Sequence, residues 1–170
     1  MKKPTIKKPA SSPHGTQAWL ATIRAYNLCE AALSARLAQH HLRVGDLEVL
    51  ATLATTPGIT QMELAARCFI TKSAVSMLLS QMEVDGLVTR DIHDTDSRAK
   101  RLALTERGQK LAALAMQTQA EVVEVMVEGV SDSEIDLIAK VMGQVSERLE
   151  RLIQEDKQEE KKLAVAKARL

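Results

Sequence analysis

The stretch ITQMELAARCFITKSAVSMLLSQMEVDG, residues 59–86, carries two helix start signals in close succession. Thr60 stands three residues before Glu63, the spacing of a capping box, and Ile59 and Leu64 flank it as a hydrophobic staple. Thr71 repeats the device with Ile70 and Val75, and Val75, Leu78, Leu79 and Met82 then return on one side of a helix that ends near Asp85. Gly86 follows, where a left-handed residue is favoured after a helix. A short capped helix ending near Cys68, a few linking residues and a second capped helix make a helix-turn-helix pattern.

Downstream the period changes. Leu87 and Val88 open a strand expected over 87–92, a second is expected over 101–104, and a polar, charged loop over 93–100 separates them. Thr105 can cap the next helix, whose expected buried stripe is Leu111, Leu114, Thr118, Val122 and Val125. Ser131 and Glu134 form another capping box. Behind it Ile135, Ile138, Met142, Val145, Leu149 and Leu152 alternate spacings of three and four, the seam of a helix that pairs with another, here assigned to dimerisation. Past residue 155 charge density rises and the helix is expected to fray.

Upstream, a helix is expected over 16–40 with Trp19, Ile23, Tyr26, Leu33 and Leu37 on one face. Another is expected over 46–55 with Leu47, Leu50 and either Leu53 or Ala54 inward, stopped by Pro57-Gly58. The fold class is therefore mainly α with a small β-hairpin wing: a winged helix-turn-helix plus a helical dimerisation region. The expected organisation is a basic disordered arm (1–15), an N-terminal dimerisation helix (16–45), the winged domain (46–104), C-terminal dimerisation helices (105–155) and a charged tail (156–170).

Composition narrows the function. Within 170 residues, 45% are hydrophobic but only 2% aromatic, so the core must be aliphatic. No apolar run approaches the roughly 20 residues that span a bilayer, and the lysines near the start precede no apolar stretch of signal-peptide kind. A cytoplasmic protein with no membrane partner is expected. Cys29 and Cys68 lie far apart, without a second Cys or His at metal spacing, so neither disulfide framework nor metal site is indicated. No nucleophile–base pair or phosphate-cradling glycine loop stands in the chain, and neither an enzyme nor a cofactor is expected. The net charge of +1 announces no polyanion partner by itself, so any contact with DNA must come from local placement.

That placement is visible in two segments. Thr71, Lys72, Ser73 and Ser76 cluster at the start of the second helix of the pair, away from Val75, Leu78 and Leu79. Hydroxyls and a lysine at a helix N-terminus suit phosphates and base edges. Asp96-Ser97-Arg98 falls in the hairpin with Arg90, Lys100 and Arg101 around it. Asp91, Asp94 and Asp96 accompany these cations, so Asp96 is read as a carboxylate that orients the Arg98 guanidinium towards a narrow minor groove.

Gly86-Leu87-Val88-Thr89-Arg90, then Asp96-Ser97-Arg98, then Leu104-Thr105-Glu106-Arg107-Gly108 stand at the intervals of a known pattern. With them the chain, from about residue 16 to 153, resembles the MarR family of winged-helix regulators. The resemblance implies a homodimer on a palindromic double-stranded DNA operator, released by a small aromatic or phenolic acid or its coenzyme A thioester. It carries over to Thr71, Ser73 and Ser76 as groove-facing residues and to Asp96 and Arg98 as the wing pair. Many relatives place an arginine where this chain has Met77, which weakens the expectation of guanine readout there. A pocket between the helical region and the winged domain would draw on Trp19, Arg24, Tyr26 and His41. Two other readings stay open in the sequence: a repressor controlled by oxidation of Cys29 or Cys68, and a winged-helix module that docks proteins without binding DNA.

Overall fold

The computed structural model describes residues 13–68, 70–93 and 96–167, with the side chains of residues 13, 91–100 and 165–167 outside the description. The basic arm is named above for residues 1–15, and its first twelve lie outside the described residues. The chain divides into two units, Met1–Met126 and Val127–Leu170.

In the first unit the order is α1 (Pro13–Leu37), a 3-10 turn (Ala38–His40), α2 (Val44–Thr55), α3 (Gln61–Arg67), α4 (Lys72–Val84), β1 (Val88–His93), β2 (Asp96–Leu104) and α5 (Glu106–Met126). Helix α2 is the hub: Leu47, Val49, Leu50 and Leu53 are buried in one aliphatic cluster with Leu64 of α3, Val75 and Leu79 of α4, Leu102 of β2 and Ala115 of α5. A core of this composition is held by close aliphatic packing. Trp19 and Tyr26 stand outside it, more than 60% exposed on α1.

Local chemistry fixes the helix starts. The Thr60 hydroxyl accepts from the Glu63 N–H, while the Glu63 carboxylate accepts from Thr60 N–H at 2.8 Å and from its hydroxyl at 2.7 Å. These bonds hold the Glu63 carboxyl below its ordinary value of 4.5, so the cap persists until the pH falls through that lowered range. The Thr71 hydroxyl accepts from Ala74 N–H at 3.2 Å at the start of α4. Helix α2 begins two residues before the expected position, because Asp46 accepts from Arg43 N–H at 2.9 Å and from its guanidinium at 3.2 and 3.3 Å. A basic residue at the N-cap lay outside the usual start signals.

Helix α4 ends in a Schellman motif. Leu87 N–H donates to Met82 C=O at 2.8 Å and Gly86 N–H to Glu83 C=O at 3.0 Å, with Gly86 at φ 66°. The chain then enters the hairpin, whose antiparallel register runs from Val88↔Leu104 to Ile92↔Lys100 and, after an irregularity, His93↔Asp96. The loop expected over 93–100 is therefore largely strand. The apolar alternation stops at Ile92, but main-chain pairing needs no apolar side chain and continues into the charged tip. A third short segment flanks β2: Gly58 N–H donates to Leu102 C=O, and Leu102 N–H to Ile59 C=O, both at 3.0 Å.

Thr105 closes the junction between hairpin and α5. Its N–H donates to Leu87 C=O at 3.0 Å, its hydroxyl donates to Gly86 C=O at 2.7 Å, and the same oxygen accepts from Gly108 N–H at 3.0 Å. A Cβ placed on Gly108 would stand 2.0 Å from the Leu87 carbonyl oxygen. The buried stripe of α5 runs through Ala112, Ala115, Thr118 and Val122, whereas Leu114 and Val125 of the expected stripe are exposed. Small residues let α5 approach α2 closely, and the Thr118 hydroxyl is satisfied by Leu114 C=O at 3.0 Å.

The second unit is dominated by α6 (Asp132–Lys167), about 54 Å long at 1.5 Å per residue. Glu134 accepts from Ser131 N–H at 3.0 Å and from its hydroxyl at 2.6 Å. Ile138, Met142, Leu149 and Leu152 are exposed, and Ile135 and Val145 are half-buried. The helix does not fray at 155: residues 156–162 are almost all strong helix formers, with Lys157/Glu160 and Glu159/Lys162 at i,i+3 spacing. No described helix is long and apolar enough to cross a membrane.

Gly108→Ala should lower unfolding stability by about 1–3 kcal/mol, because backbone must move to admit the methyl group. Gly45, in the first turns of α2, meets only Leu78 Cδ1 at 3.8 Å, and Gly45→Ala should be neutral or stabilising by up to about 1 kcal/mol. Urea denaturation of both variants checks the pair, and equal stability of Gly108→Ala and the parent protein would refute the close-approach argument.

Candidate nucleic-acid interface

Helix α4 has two unlike faces. Val75, Leu79 and Met82 are buried, while Thr71, Lys72, Ser73, Met77 and Ser80 are exposed and Ser76 is half-buried. The sequence-expected cluster Thr71, Lys72, Ser73 and Ser76 thus comes together at one helix start. Thr71 has a double part, since its hydroxyl caps the helix and lies 3.0 Å from Ser73 Oγ. Four helical N–H groups at such a start have no intrahelical acceptor, and together with the dipole and Lys72 they attract anions.

The hairpin distributes its cations differently from the expectation. Arg90, placed among the DNA-facing residues, forms an ion pair with Glu83 of α4 at 2.9 Å, and its side chain is only 18% exposed. It is withdrawn from solvent because β1 lies against α4 at that point. Arg90 fastens the wing to the helix. Arg101 is exposed, but one of its terminal nitrogens donates to Gly58 C=O at 2.6 Å, so it too braces β2 against the α2–α3 loop. Asp96, Arg98 and Lys100 belong to β2, and their side chains lie outside the described residues, as does any Asp96–Arg98 pair.

Sequence reasoning missed Arg107, which donates to Asp85 C=O at 3.0 Å and ties the start of α5 to the end of α4. Its position inside the Leu104–Gly108 motif was the available signal. Glu83 was missed as well, for want of any sequence rule pairing a helix end with the following strand.

The four pocket candidates are not brought together. Trp19 and Arg24 line neither of two clefts in the first unit. His41 borders a cleft of about 680 Å³, where His40, Arg43, Arg107 and Lys110 stand around Leu78, Met82, Leu111 and Leu114. Tyr26 borders another of about 350 Å³, with Cys29, Glu30, Glu48, Arg67 and Cys68. Trp19, Ile23 and Tyr26 share a face as the periodicity implied, but α1 presents that face to solvent in the single chain, and Tyr26 and His41 line different clefts. Beside the second cleft, burial raises the Cys68 thiol above its ordinary 9.0, with Glu48 adding to the effect and a contact from Thr52 opposing it. That environment disfavours the thiolate an oxidant would attack. Among the described residues no group of His, Cys, Asp and Glu could hold a metal ion.

A two-stranded wing following a helix-turn-helix, with a polar helix start exposed beside it, defines a winged-helix protein of the DNA-binding type. Residues 42–99 match the model of the MarR family. An uncharacterized HTH-type transcriptional regulator of Bacillus cereus is 30% identical over 105 residues, covering 62% of this chain and 69% of the relative. Among solved structures, AbsC of Streptomyces coelicolor, a MarR family transcriptional regulator, superposes with a TM-score of 0.76 at 21% identity, over 84% of this chain and 98% of that one. FabT of Streptococcus pneumoniae in complex with DNA gives 0.68 at 20% identity, over 83% and 99%. A MarR family protein of Mycobacterium tuberculosis in complex with salicylic acid gives 0.61 at 21% identity, over 81% and 99%. The chain belongs to the MarR family. It is a transcriptional regulator and not an enzyme.

Replacing Glu83 alone leaves a half-buried guanidinium without its counter-charge, so Glu83→Gln should cost about 1–3 kcal/mol in chemical unfolding. The double variant Glu83→Gln with Arg90→Met should recover most of that loss. A double variant as unstable as the sum of its single changes would show that the pair is not the fastening.

Proposed function

We propose that this protein is a homodimeric repressor that occupies a palindromic operator and leaves it when a small aromatic or phenolic acid, or its coenzyme A thioester, binds. The observation that carries the reading is the division of α4, whose apolar face is fixed in the core while its polar start is free for a major groove. The exposed apolar residues of α1 and α6 suit pairing of two copies. A duplex read by a two-fold dimer presents half-sites about one helical turn apart, and the wing then meets the flanking minor groove. FabT in complex with DNA and the Mycobacterium tuberculosis protein in complex with salicylic acid support both halves of the proposal by analogy.

The cleft beside His41 has the chemistry for the effector. Arg107, together with Arg43 and Lys110, which are paired with Asp46 and Glu106 until an acid competes for them, offers charge to a carboxylate. Leu78, Met82, Leu111 and Leu114 offer apolar surface to a ring. The same cleft is lined by Gln81 and Asp85, in the second half of α4. An acid seated there acts on the recognition helix directly, and binding that differs between two α4 positions shifts their populations. Oxidation control through Cys68 is the weaker reading because burial among its neighbours pushes that thiol up.

Fluorescence anisotropy with a selected duplex tests the first half. Lys72→Ala and Arg98→Ala should each weaken binding and lower the salt slope by about one. Slopes unchanged in both variants would contradict the assigned contacts. Salicylate titration tests the second half: release should occur, and Lys110→Ala should raise the half-release concentration several-fold relative to that variant's own effector-free affinity. Release unaffected by the substitution would remove the effector from this cleft.

A further inference from the structure

We propose that Met77 reads the 5-methyl group of a pyrimidine in the major groove, so that each operator half-site is specified at one position by thymine. The inference rests on the DNA-binding reading above. Met77 is 73% exposed on α4 while Val75, Leu79 and Met82 of the same helix are almost fully buried. Its thioether adds nothing to the core, and it shares a shallow depression with Ser73, Ser76 and Ser80, the row at i−4, i−1 and i+3 that continues the exposed helix start.

Three of the polar side chains around it, those of Ser73, Ser80 and Gln81, are engaged with the helix itself. Ser80 donates its hydroxyl to Ser76 C=O at 2.8 Å, Gln81 donates its amide to Asp85 Oδ1 at 3.1 Å, and Ser73 Oγ lies 3.0 Å from Thr71 Oγ1. Between Lys72 and Val84 the helix has no further cation, and its acid Glu83 is committed to Arg90. The middle of the helix therefore lacks the forked donor that grips the O6 and N7 acceptors of guanine. What it presents instead is a flexible, polarizable apolar tip. The major-groove feature complementary to such a tip is the thymine methyl group, which no other unmodified base carries.

The test begins by selecting duplexes from a random pool with the intact protein. Each thymine of the enriched site is then changed in turn to deoxyuridine, which removes only the methyl group. At one thymine per half-site the change should weaken binding by about fourfold, the worth of one buried methyl group. Met77→Ala, an exposed position whose folding is checked by thermal unfolding, should show no loss at that thymine. Restoring a methyl group through 5-methyldeoxycytidine paired with guanine should recover part of the affinity for the parent protein only. A flat uridine scan, or a sensitive thymine equally sensitive in Met77→Ala, would overturn the proposal while leaving DNA binding intact. Failure to enrich any duplex would overturn the DNA-binding reading and this inference with it.

Discussion

The Thr105 hydroxyl holds the molecule's functional geometry. Its oxygen accepts from the first turn of α5 and its proton goes to the carbonyl of Gly86, the residue that ends α4. Three elements therefore meet at one side chain: the recognition helix, the base of the hairpin and the helix leading out of the domain. Gly108 is required at this junction because only a residue without Cβ lets α5 reach the Leu87 carbonyl. Arg107, bonded to Asp85 C=O, adds a second tie between the same helices. A wing and a helix that must meet one duplex together have to be held at a fixed separation, and these bonds hold it.

This arrangement links the proposed sites. The start of α4 is polar and faces outward, its middle bears Met77, and its end borders the cleft that holds His41, Arg107 and Lys110. Any ligand in that cleft presses on the same helix that is proposed to lie in the groove. No long relay through the protein is needed, since the two sites are opposite ends of one rigid element. Arg90 and Glu83 extend the coupling to the wing, because their ion pair makes β1 follow α4.

Much of this was legible in the chain because it is written in local chemistry. Thr60 with Glu63, Thr71 and Gly86 are short-range signals, and each does in the structure what its spacing implied. The hairpin was legible at its apolar base and not at its charged tip, where strand pairing continues without an alternating pattern. The α5 stripe was legible at Leu111, Thr118 and Val122 but not at Ala112 and Ala115, which make the close approach to α2. The reading weighted large residues and so took in the exposed Leu114 and Val125. The pairing of Arg90 with Glu83 and the separation of Tyr26 from His41 depend on how elements pack, which spacing along one chain does not encode. At the site, the composition of the α4 start was visible, while the withdrawal of Arg90 and the bracing role of Arg101 were not.

The central claim is that the exposed start of α4 and the hairpin beside it form the surface that meets a duplex. Amide hydrogen exchange on the intact protein, with and without a duplex it has selected, tests this most directly. Exchange should slow at residues 71–80 and along 88–104 when DNA is bound. Slowing confined to α1 or α6, with α4 unchanged, would contradict the account.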